Sequence, residues 1–133
     1  MKLDFMKILI VSILLILSCS NNYKTNFINQ KMRIQLDLNP EPSLKENGYF
    51  YYGHIVVTNI TNSEIKYSNQ YLMILSDDNS ETRTNVDSPA SITVDFSEVE
   101  IKAKQSLELD VYWVFENKID IKKIALIYKK SID

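Results

Sequence analysis

The chain contains few glycine, proline, cysteine and histidine residues. Among its 133 residues are two glycines, three prolines, one cysteine and one histidine. A single cysteine excludes a disulfide within the chain, so the fold depends on its hydrophobic core. With so few glycines, we expect the turns to be made by Asn, Asp, Ser and Lys. One histidine and one cysteine cannot supply the ligand set of a typical zinc site, so we expect no metal and no cofactor.

The chain also lacks a charge excess of either sign. Its net charge is −2, and loss of Lys2, Asp4 and Lys7 with the leader described below would make it −3. Nucleic-acid-binding domains present a basic surface, so we expect no nucleic-acid partner. The apolar fraction of 45% is ordinary for a globular protein of one domain.

The amino terminus has a short basic start followed by an apolar run over residues 8–17. A spanning helix needs about 20 apolar residues, so this shorter run predicts the hydrophobic region of a signal peptide. The run ends in the sequence Ile16-Leu17-Ser18-Cys19. These residues resemble the bacterial lipobox, although Leu17 is bulkier than the usual residue there. Relaxed boxes of this kind are typical of spirochaetal lipoproteins.

The resemblance to a lipobox implies a covalent lipid anchor. Diacylglycerol, with acyl chains such as palmitate, would be attached to Cys19, and the signal peptide, residues 1–18, would be removed. The protein would then be held at a membrane of the cell envelope, with the outer membrane or cell surface favoured over the inner membrane. The alternative is an ordinary secretory leader followed by a coincidental cysteine.

The segment 19–30 is polar and has no period, which predicts a flexible tether. From residue 31 onward the period is two, as in strands with one buried face. The only helix candidate is a single turn at Ser43–Asn47. The predicted strands are 31–38, 49–59, 64–67, 71–75, 82–86, 92–96, 106–115 and 123–129.

This pattern predicts an all-β domain over residues 31–133, an antiparallel β-sandwich of seven to eight strands. Two segments, Ile55–Ile65 and Ile101–Phe115, resemble an immunoglobulin-like family found on bacterial lipoproteins and secreted proteins. The first resembles that family's strand, Asn-rich hairpin and returning strand. The second resembles its late turn and penultimate strand, with Ala103-Lys104 where the family commonly has Pro-Gly. The resemblance implies a fold more than an activity.

Several polar residues have both a functional and a structural interpretation. His54 lacks a recognisable nucleophile, so a surface role is favoured over catalysis. The acidic stretch Asp77–Glu81 has calcium-binding oxygens, but a hairpin turn needs the same composition. Glu98 and Glu100, with Asp95 nearby, are either an acid–base pair or a solvated face. The sequence Asn59-Ile60-Thr61 matches a glycosylation sequon, but in a bacterial protein it most simply marks a turn.

The run Tyr49-Phe50-Tyr51-Tyr52 is the strongest candidate for an interaction patch. Successive strand residues face opposite sides, so two of these rings enter the core and two face outward. Exposed Tyr side chains are large, stiff and amphipathic, which suits contact with a protein or a glycan. The alternative is that a loop or the tether covers them. Trp113 shares the inward side of its strand and is expected in the core.

The leading hypothesis is a lipid-anchored, non-enzymatic module that binds a protein or a glycan. The runner-up is a periplasm-facing accessory lipoprotein of an envelope assembly or transport complex. A small hydrolase, or an inhibitor of hydrolases, is a third possibility that no motif supports.

Overall fold

The computed structural model of the protein describes residues 22–87 and 98–130. The predicted signal peptide, Cys19 and the predicted strand 92–96 with Asp95 lie outside these residues. The described chain is all-β and antiparallel. It contains two short 3₁₀ turns and no α-helix, and none of its helical segments has the length and apolar character to span a membrane.

Eleven strand segments are present in the described residues. They are β1 (Tyr23–Ile28), β2 (Met32–Leu38), β3 (Ser43–Lys45), β4 (Gly48–Asn59), β5 (Ile65–Tyr67), β6 (Leu72–Leu75), β7 (Glu81–Arg83), β8 (Asn85–Val86), β9 (Val99–Ile101), β10 (Ser106–Phe115) and β11 (Ala125–Tyr128). The largest sheet has the order β1-β2-β4-β10-β8, with β3 also paired to β4. A second sheet has the order β11-β6-β7, and β5 pairs with β9.

Alternation along β2, β4 and β10 produces the core. Met32, Ile34, Leu36 and Leu38 are buried on one side of β2, as the period of two predicts. Their neighbours on β4 and β10 join residues of β5, β6, β9 and β11 in one continuous hydrophobic cluster. The large sheet and the smaller sheets therefore pack against each other over a shared core, which is the arrangement of a β-sandwich. Trp113 is fully buried in this core, which confirms its predicted position.

The predicted tether is wrong over half of its length. Residues Tyr23–Ile28 form β1. This strand pairs with residues 33–38 of β2, from Ile28 opposite Arg33 to Tyr23 opposite Leu38. Phe27 and Tyr23 pack against the core from the inner side of this strand. The domain therefore begins before residue 31, and a fragment that starts there would lose an edge strand.

Two further predictions are corrected by the strand pairing. Ser43–Lys45 is not a helical turn but β3, which pairs with Gly48–Phe50 across the two residues Glu46 and Asn47. The segment 82–86 is not one strand, because β7 pairs with β6 whereas β8 pairs with β10. The chain crosses between the two sheets at Thr84, which is buried.

The segment that resembles an immunoglobulin-like hairpin also differs from expectation. After Asn59 the chain does not return alongside β4, because β5 pairs with β9 instead. Asn59 is fully buried, and its side-chain amide donates to the carbonyl oxygens of Ser63 and Ile101 while its oxygen accepts from Thr61. The Asn59-Ile60-Thr61 sequence thus stabilises the turn through which the chain leaves β4 for β5. The side-chain amide of Asn59 is buried and donates its hydrogen bonds within the protein.

Residues other than glycine adopt left-handed backbone conformations at turns of this chain. Asn79 has φ 65° and Lys104 has φ 61°, which confirms that Asn and Lys make turns here. Gly48 has φ 128°, and a Cβ at that position would collide with the carbonyl oxygen of Phe115. Gly48 is therefore required where the β3–β4 hairpin meets the end of β10.

Candidate interaction surface on the large sheet

The solvent-facing side of the large sheet carries a cluster of three aromatic rings. Phe50 and Tyr52 leave β4 on the side opposite the core, and Tyr112 of β10 lies directly opposite Tyr52. The ring centroids of Phe50 and Tyr112 are 5.7 Å apart, with 13° between the ring planes, and those of Tyr52 and Tyr112 are 5.9 Å apart. We name Phe50, Tyr52 and Tyr112 the aromatic patch; all three are partly exposed.

The predicted division of the Tyr49–Tyr52 run is confirmed, and it removes two residues from the predicted interaction patch. Tyr51 is fully buried, contacts Phe115 edge to face, and its hydroxyl accepts a hydrogen bond from the amide of Ile119. Burial raises the pKa of Tyr51. Tyr49 is partly buried and packs against the core. Only Phe50 and Tyr52 of the run face outward.

Lys45 of the β3–β4 hairpin lies over the aromatic patch. Its ammonium donates to the hydroxyl of Tyr52 at 2.9 Å and lies 4.7 Å from the ring centroid of Phe50. The hydrogen bond with Tyr52 raises the pKa of Lys45. The hairpin thus places a cation on aromatic rings, an arrangement favoured by the negative potential of the ring faces.

His54 follows Tyr52 on the same side of β4 and is surrounded by carboxylates. Its Nδ1 lies 2.9 Å from the Asp110 carboxylate and its Nε2 lies 3.6 Å from that of Glu108. The hydrogen bond to Asp110, supported by Glu108, raises the pKa of His54 despite partial burial. His54 and these two carboxylates form a charged cluster on the outer side of the sheet.

A shallow, open cleft of about 390 Å³ is lined by Tyr52 of the aromatic patch together with His54 and its acidic neighbours. Strand register places Asp37 of β2, His54 of β4 and Asp110 of β10 side by side across the sheet. Asp87 joins the row, since its amide donates to the carbonyl oxygen of Asp110. We name this space the acidic cleft and define it by the residues Asp37, Tyr52, His54, Asp87 and Asp110.

One carboxylate oxygen of Asp37, a residue that lines the acidic cleft, is buried without a hydrogen-bond partner among the described residues. It is the Oδ1 atom, which no donor in the described part of the chain reaches. Buried carboxylate oxygens are normally paired, because an unpaired one loses its hydration without compensation.

The other candidate residues that the structure describes have partners within the protein. In the acidic turn, Asp78 accepts from the hydroxyls of Ser76 and Ser80, which lowers its pKa to about 2. Glu98 is paired with Lys66 and Lys130 at 3.9 and 3.6 Å, and Glu100 lies opposite Lys66. Within residues 22–87 and 98–130, no group of three or more His, Cys, Asp or Glu side chains is arranged to hold a metal ion.

The sequence did not predict Tyr112, Lys45, Asp37, Asp87 or Asp110 as members of one surface. The outward set of β10 was visible in its alternation and already included Tyr112 and Asp110. Their partners on β4 depend on a register between residues more than 50 positions apart. Lys45 was missed because the sequence predicts a helical turn where the strand β3 forms.

Comparison of the chain with protein-family models, with curated proteins and with solved structures gave no match. The candidate function therefore depends on the amino-terminal sequence and on the geometry of this surface.

Proposed function

We propose that the protein is a lipid-anchored lipoprotein of the bacterial cell envelope and acts as a non-enzymatic interaction module. The lipobox resemblance at Ile16–Cys19 supports the anchor. The partner would be a protein or a glycan, and the aromatic patch would form the centre of the contact.

The aromatic patch is the observation that carries this proposal. Rings on the outer side of a sheet are not needed for the core, which is filled from the inner side by Tyr51 and Trp113. The patch is also held in one geometry by stacking of Phe50 on Tyr112 and by the Lys45–Tyr52 hydrogen bond. Rigid aromatic side chains lose little entropy on binding and are enriched among the residues that dominate interfaces.

We also propose that the sandwich is immunoglobulin-like, as the two sequence segments imply. The long antiparallel pair β4–β10 supports this assignment. An experimental structure with a strand order outside that family would contradict it.

The contact surface can be tested with the protein purified in detergent from cell membranes. The double variant Tyr52→Ser, Tyr112→Ser should lose capture of its partner from envelope or host fractions. The unchanged protein and Val56→Ala, which alters the outer side of β4 away from the patch, should retain capture. Far-UV circular dichroism checks that all three are folded. Equal capture by the double variant would show that the patch is not the contact surface.

The anchor and its orientation need separate measurements. Mass spectrometry of the isolated protein should find residues 1–18 absent and acyl chains on Cys19. Protease treatment of intact cells should remove a surface-displayed protein, whereas protection would indicate the periplasm-facing accessory role. An unmodified Cys19 thiol or a retained leader would contradict the lipoprotein assignment.

A further inference from the structure

We infer that the β3–β4 hairpin, residues 43–50, is a second membrane contact whose exposed Leu44 enters the headgroup layer of a phospholipid bilayer. This inference rests on the proposed lipid anchor at Cys19 and goes beyond it. An anchor alone holds the domain at one point and leaves its orientation free. The hairpin would fix that orientation.

The hairpin projects from the end of the sandwich at which the chain arrives from Cys19. β1 is antiparallel to β2 and β2 is antiparallel to β4, so β1 and β4 run in the same direction. The register aligns Tyr23, the first residue of β1, with Gly53 of β4, because both lie level with Leu38. The part of β4 before Gly53, together with β3, therefore extends beyond the start of β1 on the side of the anchor.

The hairpin extends about as far as the tether can reach. Leu44 lies opposite Tyr49, which is four residues before Gly53, a distance of about 13 Å along the strand. Cys19 is likewise four residues before Tyr23. With the strands upright on the membrane, a fully extended tether therefore brings Cys19 only about level with Leu44. A tether that is less than fully extended places the hairpin within the headgroup layer.

Leu44 is exposed although its side chain is large and apolar. It is 71% exposed, on the inner side of the sheet but beyond the part that the second sheet covers. The other large apolar side chain that is exposed in the described residues is Ile28, which is 60% exposed at the opposite end of β1. Contact with the apolar part of a membrane interface would remove the Leu44 side chain from water, which is favourable.

The residues around Leu44 suit a membrane interface. Tyr49 lies opposite Leu44, and tyrosine is enriched at interfaces because its ring is apolar and its hydroxyl is polar. The ammonium of Lys45 lies on the outer side of the sheet, over the ring of Phe50. The hairpin carries one cation, Lys45, and one anion, Glu46. Its attraction to lipid would therefore come from apolar contact and not from net charge.

The hairpin is held in one position on the sandwich. Gly48 packs so closely on the carbonyl oxygen of Phe115 that a Cβ there would collide with it. The ammonium of Lys45 donates to the hydroxyl of Tyr52 at 2.9 Å. Leu44 is therefore presented in a fixed direction, and its contact with lipid would cost little conformational entropy.

This orientation leaves the aromatic patch accessible to a partner. Tyr52 and Tyr112 lie opposite each other, one residue from the level of Gly53. They are thus three residues, or about 10 Å, farther from the bilayer than Leu44. The membrane contact and the partner contact would use different parts of the same sheet.

The test places an environment-sensitive dye at the two exposed apolar positions. Leu44→Cys and the matched control Ile28→Cys are purified in detergent as the full lipidated protein, labelled with a thiol-reactive NBD dye and added to phosphatidylcholine vesicles. The emission of the dye at position 44 should shift to the blue and lose intensity when the vesicles contain nitroxide-labelled lipid. The dye at position 28 should show neither change. Far-UV circular dichroism checks that both variants are folded.

A second set of variants tests whether Leu44 itself makes the contact. The dye is moved to the tip of the hairpin with Asn47→Cys, where nitroxide-labelled lipid should also quench it. Addition of Leu44→Asp should abolish this quenching, because a carboxylate does not enter the apolar part of the interface. Addition of Ile28→Asp, which makes the same change at the other end of the sheet, should leave the quenching unchanged. Equal quenching in the two double variants would overturn the inference.

The outcomes separate this inference from the proposed anchor. The unchanged protein should not react with the dye, because a lipidated Cys19 has no free thiol. If it does react, the lipoprotein assignment fails and this inference fails with it. If it does not react and floats with the vesicles, but the dyes at positions 44 and 28 behave alike, the anchor stands and the hairpin contact is overturned. Changes at position 44 that appear only at high protein density on the vesicles would assign the hairpin to a second copy of the chain and would also overturn the inference.

Discussion

The two sides of β4 and β10 use similar amino acids for different purposes. On the inner side, Tyr51 and Trp113 are fully buried and held by hydrogen bonds to Ile119 and Thr84. On the outer side, the rings of the aromatic patch contact one another and Lys45. Aromatic content is therefore no guide to role in this sheet. The parity of a position along the strand decides whether a ring stabilises the fold or is free to contact a partner.

Truncation of one ring on each side should give the largest difference between the two faces. Trp113→Ala should lower the free energy of unfolding by about 3–5 kcal/mol, because it opens a cavity in the core. Tyr112→Ala removes only ring contacts at the surface and should cost about 1 kcal/mol. Urea unfolding followed by far-UV circular dichroism measures both. Similar losses in the two variants would mean that the outer rings also stabilise the fold.

Removal of one threonine hydroxyl on each side of the sheet should also destabilise the inner side more than the outer side, by a smaller amount. Thr84 accepts a hydrogen bond from the Trp113 indole at 2.9 Å and donates to the carbonyl oxygen of Leu72. Thr84→Val leaves the buried indole donor unpaired, which should cost about 1–3 kcal/mol. Thr58 bonds Ser106 on the outer side, where water can replace the lost partner.

The control for Thr84 is therefore Thr58→Val, whose effect should stay within about 0.5 kcal/mol. Thermal unfolding of the two variants under one condition gives the comparison. A larger loss for Thr58→Val than for Thr84→Val would contradict the assignment of the two sides.

The smallest predicted effect depends on pH and belongs to the outer side alone. The pKa of His54 is raised in the folded protein, so its contribution to stability is present below its unfolded value of about 6.5 and is lost as the pH rises through the raised pKa. The unchanged protein should exceed His54→Gln in melting temperature at about pH 6, and the difference should shrink at about pH 8. The site is largely exposed to solvent, so the shift should be modest. A difference that grows with pH would have the wrong sign.

The strands that the sequence predicted correctly are those with strong alternation. Met32–Leu38 and Ser106–Phe115 each place apolar residues on every second position, and this local signal is sufficient. β1 was missed because its inward side is Tyr23, Thr25 and Phe27, in which a polar residue interrupts a short pattern. Its strand character depends on pairing with β2, which is a tertiary contact.

The candidate surface was only partly predictable for the same reason. The outward direction of Phe50 and Tyr52 follows from parity within one strand. Their association with Tyr112, and the alignment of Asp37, His54 and Asp110, require the register of three strands. Register is set by hydrophobic burial over the whole sheet, which no single segment encodes.

The early start of β1 limits how far the domain can stand from a lipid bilayer. If Cys19 carries acyl chains, as we propose, only Ser20, Asn21 and Asn22 separate it from Tyr23. Three residues span about 10 Å at full extension. The β-sandwich would then lie close to the lipid headgroups. A partner would have to reach it near the membrane surface, among the other molecules that project from the bilayer.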